Sequence, residues 1–146
     1  MPVATVHVHA SPDAVFAYLS DLSRHREWTA EPSAADPVDD APVAKGKRYA
    51  SNNMFMGKPL VDNLEVTVVE PPTRFGFVAR GPQAVVDHVF TVRAEGADTV
   101  VERTSTVVQM PAFLKLIFPL IYAVIGRKSD QKSLQQFKDR VEAMAK

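Results

Sequence analysis

Residues 10–28 read ASPDAVFAYLSDLSRHREW and contain the clearest structural signal in the chain. Ser11 is a favoured helix N-cap residue, proline suits the first helical position, and an acid in the first turn complements the helix dipole. Val15 and Leu19 then share one helical face. We therefore predict a helix from Pro12, and a second short helical segment over residues 22–27 that leads to Trp28, a predicted core residue.

The residues on either side of this stretch alternate between apolar and polar, as strands with one buried face do. Residues 3–10 are predicted to form the first strand. Later interruptions at Pro71-Pro72, Gly81-Pro82 and Gly96-Ala97-Asp98 are typical of strand ends and turns. The other predicted strands are 34–38, 47–55, 60–70, 74–80, 85–95 and 99–109, and residues 112–145 are predicted to be helical, with Pro119 and Gly126 as sites of a break.

This order predicts an α+β fold in a single domain over residues 1–146. A curved antiparallel sheet of six or seven strands follows from the run of hairpins, with two short helices after the first strand. The sheet must cover its apolar face, and only the C-terminal helix is long enough to lie over its concave side. A hollow between the two is a place where a small ligand can bind.

Composition excludes several functional classes. Seventeen basic and seventeen acidic residues give no net charge, so no nucleic acid partner is expected. The chain has no cysteine, which excludes disulfides and thiolate chemistry. Its first residues do not resemble a signal peptide, which favours a cytoplasmic protein. Residues 110–126 are apolar but are interrupted by prolines and Lys115, so no integral membrane span is predicted.

The opening motif resembles that of the START-like (SRPBCC) superfamily, in particular its polyketide cyclase/dehydrase branch. The matching residues are Ala10-Ser11-Pro12-Asp13-Ala14-Val15-Phe16, followed by Asp21 and Trp28. The hairpins and the closing helix also match, so the resemblance runs from end to end. It implies a helix-grip fold with a hydrophobic cavity, and a ligand drawn from lipids, sterols, polyketides, quinones or plant hormones.

Strand parity predicts which side chains face that cavity. If Phe75 and Phe77 point inward, pairing across the turns brings His88 opposite Ser105 and diagonal to Arg103. An inward arginine needs a reason, since burying its charge is costly: Asp62 or a ligand anion would pair with it, or a bulge would return it to solvent. For His88, a structural hydrogen bond and a ligand contact are both open.

The C-terminal helix would complete the cavity. If it is straight, Leu116, Leu120 and Ala123 face the hollow and Arg127 lies at its rim. The complete predicted cavity lining is Tyr49, Asn53, Leu64, Val66, Phe75, Phe77, His88, Phe90, Arg103, Ser105, Leu116, Leu120, Ala123 and Arg127.

Three functions fit these residues. The first is binding of a small hydrophobic or lipid-like molecule. The second is a polyketide cyclase/dehydrase-like enzyme, with His88 as acid or base and Arg103 stabilising an enolate, although no strong catalytic motif is present. The third is a protein-interaction module, such as a homodimer, that uses residues 110–126. No cofactor is predicted, and no metal site either, because His7 and His9 have no third ligand nearby.

Overall fold

The computed structural model describes residues 3–28, 33–55, 58–81, 85–121 and 127–144. After β1 (Val3–Val8) come helix α1 (Pro12–Leu19) and a 3₁₀ helix (Leu22–Glu27). The next elements are the strands β2 (Ser33–Pro37), β3 (Arg48–Phe55), β4 (Lys58–Glu70), β5 (Arg74–Arg80), β6 (Val85–Glu95) and β7 (Asp98–Gln109), and then the helices α2 (Ala112–Ile121) and α3 (Arg127–Met144).

The described strands form one antiparallel sheet in the order β1-β7-β6-β5-β4-β3-β2. Consecutive strands are neighbours except at β1, which closes the meander by pairing with the last strand, Val6 lying opposite Val101. The predicted α+β class and the seven-stranded sheet are therefore confirmed. The predicted β5 and β6 boundaries are reproduced without change, because each strand is delimited by turn residues.

Helix α1 begins where the sequence predicts. The Ser11 side-chain oxygen accepts a hydrogen bond from the Ala14 backbone N–H at 3.2 Å, and Pro12 is the first helical residue. The helix buries Val15, Phe16, Tyr18 and Leu19.

The core lies between the sheet and the helices on one of its sides. Helix α3 packs on β1 and on α1, and it buries Leu134, Phe137 and Val141. Trp28 is 1% exposed, and its ring centroid lies 5.1 Å from that of Phe137 and 6.3 Å from that of Phe90. The prediction that Trp28 belongs to the core is thus confirmed.

Residues 112–145 were predicted to be helical, and the described residues of this region form the helices α2 and α3. The break predicted at Gly126 lies outside the described residues. Pro119 lies inside α2, near its end. None of the helices in the described part of the chain has the length and apolar character needed to cross a bilayer.

Candidate functional site

The inner face of β5 and β6 is a continuous aromatic surface. Phe75 lies opposite Phe90, and Phe77 lies opposite His88. The rings of Phe77 and Phe90 stack with centroids 6.5 Å apart, and that of Phe77 lies 5.0 Å from the His88 ring. All three phenylalanines are at most 7% exposed. Strand parity therefore predicts this face correctly.

Three polar side chains interrupt this surface along β6 and β7. His88 Nδ1 lies 2.9 Å from Ser105 Oγ and 3.2 Å from Arg103 Nη2. The Arg103 guanidinium carbon lies 5.6 Å from the centroid of the Phe90 ring. The three side chains are half-buried. The predicted positions of His88 opposite Ser105 and diagonal to Arg103 are confirmed.

Arg103 stays on the inner face because β7 is regular around it. Its backbone pairs with Phe90 on one side and with Ala4 on the other, and the register shift of this hairpin lies at Val85–Val86. The alternative of a bulge that returns Arg103 to solvent is therefore wrong. The side chain of Asp62, the residue predicted to pair with Arg103, lies outside the described residues.

The contact with Arg103 assigns the His88 tautomer. A guanidinium has donors and no acceptor, so Nδ1 of His88 must accept the hydrogen bond and carries no proton. Burial lowers the pKa of His88 well below its usual value, and the charge of Arg103 and nearby His25 lower it further. The ring is therefore neutral at pH 7, with its proton on Nε2. That N–H is a hydrogen-bond donor.

His25 belongs to the same interior, although the sequence analysis did not single it out. It is 8% exposed, and its Nε2 donates to the Leu19 carbonyl oxygen at 2.9 Å. Burial lowers its pKa to about 4, against the opposing effect of this hydrogen bond. A signal was present: in a 3₁₀ helix residues three apart eclipse one another, which places His25 between the apolar Leu22 and Trp28.

Other predicted cavity residues divide into three groups. On the strands, Tyr49, Leu64 and Val66 are buried. The side chains of Asn53 and Arg127, and all of Ala123, lie outside the described residues. Leu116 and Leu120 are 84% and 68% exposed.

The prediction that Leu116 and Leu120 face the hollow is therefore wrong. It extended the apolar stripe of Leu134 and Phe137 backwards along one straight helix. Of the two described helical segments, only α3 carries that stripe into the core. The inward stripe of α3 thus gives no information about which face α2 turns to the sheet.

The inner face is closed at one end and half-open at the other. The closed end holds Phe16, Trp28 and Phe137. Towards the start of β6 the inward residues become half-buried: Val86 lies between Ala79 and Val107, and none of the three is fully buried. His88, Ser105 and Arg103 lie between these regions. Their chemistry is that of hydrogen-bond donors at the edge of an aromatic surface.

No metal chemistry is indicated in the part of the chain that the structure describes, where no three histidine or carboxylate side chains come together. His9 instead contacts the carboxylate of Asp98.

Comparison with known proteins identifies a family and solved structures that share this architecture. A family model described as polyketide cyclase/dehydrase and lipid transport matches residues 3–142. Among solved structures, TTHA0849 of Thermus thermophilus has a TM-score of 0.80 at 22% identity, over 99% of this chain and 98% of that one. A START superfamily protein of Mycobacterium smegmatis has a TM-score of 0.70 at 16% identity, and the alignment covers 98% of this chain and 97% of that one.

The di-domain ARO/CYC protein StfQ of the steffimycin biosynthetic pathway has a TM-score of 0.70 at 12% identity, and it aligns with 99% of this chain but 46% of its own. No curated protein matches the chain. At these identities the solved structures establish the shared START-like, helix-grip fold. The family model covers nearly the whole chain, and this chain belongs to the polyketide cyclase/dehydrase and lipid transport family.

Proposed function

We propose that the protein binds a small, largely apolar molecule that carries an oxygen acceptor, on the inner face of the sheet. The observation that carries this proposal is the contact of Arg103 with His88 beside the stacked Phe77 and Phe90 rings. The aromatic surface favours an apolar ligand body. The family description, which includes lipid transport, is compatible with such a ligand.

The polar edge of this surface favours one kind of ligand group. Arg103 is cationic and purely a donor. His88 is neutral and donates through Nε2, because its Nδ1 accepts from Arg103. A carboxylate, carbonyl, phenolate or enolate oxygen matches two such donors, whereas an ammonium group would meet a like charge. A ligand with one oxygen-bearing end and an apolar body is therefore favoured over a pure hydrocarbon.

A cyclase-like activity is a second candidate, and the same donors support it. The role of His88 as general base is disfavoured, since its Nδ1 lone pair is engaged by Arg103. Its pKa is lowered, so it also carries no extra proton to give at neutral pH. In such an enzyme His88 and Arg103 would instead stabilise the negative oxygen of an enolate through hydrogen bonds.

Cytoplasmic location stays a prediction for both candidate functions.

Two related dyes test the proposed binding. 1-Anilinonaphthalene-8-sulfonate carries an anionic group, and N-phenyl-1-naphthylamine has a similar apolar body without it. The chain has a single tryptophan, Trp28, so energy transfer from tryptophan to dye reports on binding near the core. We expect both dyes to bind. We expect Arg103→Gln to weaken sulfonate binding about tenfold, the loss of a charge-assisted hydrogen bond, and to leave the neutral dye within about twofold.

The matched control is Arg93→Gln. Arg93 lies on β6 like His88, but it is exposed and paired with Glu95 at 2.8 Å. It should bind both dyes as the wild type does. Because sulfonate dyes also bind loosely folded states, each variant must keep its near-UV circular dichroism. Equal loss of both dyes in a folded Arg103→Gln variant, or no loss of either, would contradict the role assigned to Arg103.

A further inference from the structure

Helix α2 exposes an apolar stripe to solvent. Phe113, Leu116, Ile117 and Leu120 are 67%, 84%, 44% and 68% exposed. Their spacing of three, one and three residues places them on one face of the helix. Single exposed apolar residues are common, but a contiguous group of large ones marks an interaction surface. This α2 stripe is separate from the inner face of the sheet.

The dimensions of α2 suit a helix that lies on a membrane. Its ten residues span about 15 Å at 1.5 Å per residue. A hydrocarbon core is about 30 Å thick, so the described residues of α2 span about half of it. A helix lying in the interface needs only one apolar face and basic residues near it.

The charge pattern around α2 specifies the kind of membrane. Acidic and basic residues are equal in number over the whole chain, yet residues 103–129 contain no aspartate or glutamate. The same segment contains four basic residues, of which Arg103 lies on the inner face of the sheet and Arg127 has a side chain outside the described residues. The other two, Lys115 in α2 and Lys128 in α3, are exposed. Anionic headgroups attract such cations, each of which strengthens binding about fivefold near the surface.

A second copy of the chain fits this surface less well. A two-fold dimer would use the same patch on both partners. Two α2 stripes in contact would bury the apolar residues but would make no use of the basic ones, because at about 3.6 residues per turn Lys115 lies on the side of α2 opposite the stripe. An anionic lipid surface supplies both the apolar layer and the opposite charge.

We propose that the α2 stripe docks the protein on anionic lipid bilayers, with Phe113, Leu116, Ile117 and Leu120 inserted at the level of the headgroups. This docking surface does not depend on any ligand of the inner face, and it requires no change in the sheet. It is a property of the exposed side chains of α2 and of the basic residues around it.

Vesicle flotation tests the proposal, with vesicles of phosphatidylcholine alone and of an equimolar mixture with phosphatidylglycerol. The wild-type protein should float with the mixed vesicles, and raised salt should release it, since exposed charges are screened. Leu116→Gln should weaken binding about tenfold, the effect of removing one inserted leucine. Lys115→Gln should weaken it about fivefold. Both side chains are exposed, so the fold should be unaffected.

The matched control is Val38→Gln, which replaces a 65% exposed apolar residue outside α2. It should float as the wild type does. Two results would overturn the proposal: no flotation with the mixed vesicles, or flotation that Leu116→Gln and Val38→Gln alter equally. Sedimentation velocity in the absence of lipid identifies the alternative, since a dimer that Leu116→Gln dissociates would assign the stripe to a second copy. Dye binding to the inner face should be the same for all these variants.

Discussion

Two histidines lie inside the protein, and their hydrogen bonds give them different properties. His25 donates from Nε2 to the Leu19 carbonyl, which fixes it to the turn after α1. His88 accepts at Nδ1 from Arg103 and keeps its Nε2–H for another partner. Both have lowered pKa values because burial disfavours the charged ring. One residue type thus serves as a structural link at one site and as a donor at the other.

Neutral histidine in the core makes stability dependent on pH. His25 has a pKa of about 4 in the folded protein, against 6.5 for an ordinary histidine. Between these values the unfolded chain binds a proton that the folded protein does not. The contribution of neutral His25 to the free energy of unfolding is therefore fully present above pH 6.5 and is lost as pH decreases towards 4. The loss from His25 alone is about 3 kcal/mol. Urea unfolding at a series of pH values should show this slope.

His25→Gln should reduce the slope between pH 6.5 and 5, whatever its effect on stability at pH 7, and the remaining slope comes from His88, whose pKa burial also lowers. The control His7→Gln, at an exposed position of β1, should leave the slope as it is. Glu27 and Glu142 also have lowered pKa values, because of hydrogen bonds from Arg24 and from the His9 backbone respectively. Their contribution is lost only below the ordinary carboxyl range, outside this window. An unchanged slope in His25→Gln would refute the assignment.

At the scale of elements, local signals position α1 precisely. The Ser11 side chain caps the helix through the Ala14 N–H, and removing an N-cap hydrogen bond costs about 1 kcal/mol. We expect Ser11→Ala to lower the free energy of unfolding by about that amount, with an unchanged denaturant dependence. Ser11→Asp should retain most of the stability, since aspartate is also a good cap. If the aspartate variant loses as much as the alanine variant, the cap is not the source of the effect.

The ends of an element could be predicted from the sequence where neighbouring turn or cap residues set them. Whether the element's side chains are buried or exposed often could not be predicted. Turn residues set the ends of β5 and β6, and the alternation along β6 and β7 placed His88, Ser105 and Arg103 together. Helix α2 shows the limit. Its composition suits a buried helix, but the exposure of Leu116 depends on where α2 lies relative to the sheet, which no local pattern encodes. His25 was missed because a single polar residue in a short helix gives only a weak periodic signal.

At the scale of the whole molecule, one core joins the first and last elements. β1 pairs with β7 at the opposite end of the chain, and α3 packs on β1. The core cluster includes residues of α1, the inner strands and α3. Contacts between residues so distant in sequence cannot form one at a time, because each requires that the two ends of the chain already lie together. We therefore propose that residues 3–144 unfold as one cooperative unit.

Phe137 is the residue through which that proposal is best tested. It is fully buried in α3, and its ring lies 5.5 Å from Tyr18 and 5.1 Å from Trp28 between centroids. Phe137→Ala should cost about 3–5 kcal/mol, the usual effect of emptying an aromatic site in a core. If the core is shared, tryptophan fluorescence and far-UV circular dichroism should still report one unfolding transition at a lower midpoint. Gln135→Ala, exposed on the same helix, should shift the midpoint little. Loss of helical signal before the fluorescence change would instead mean that α3 unfolds separately from the sheet and is not part of the cooperative unit.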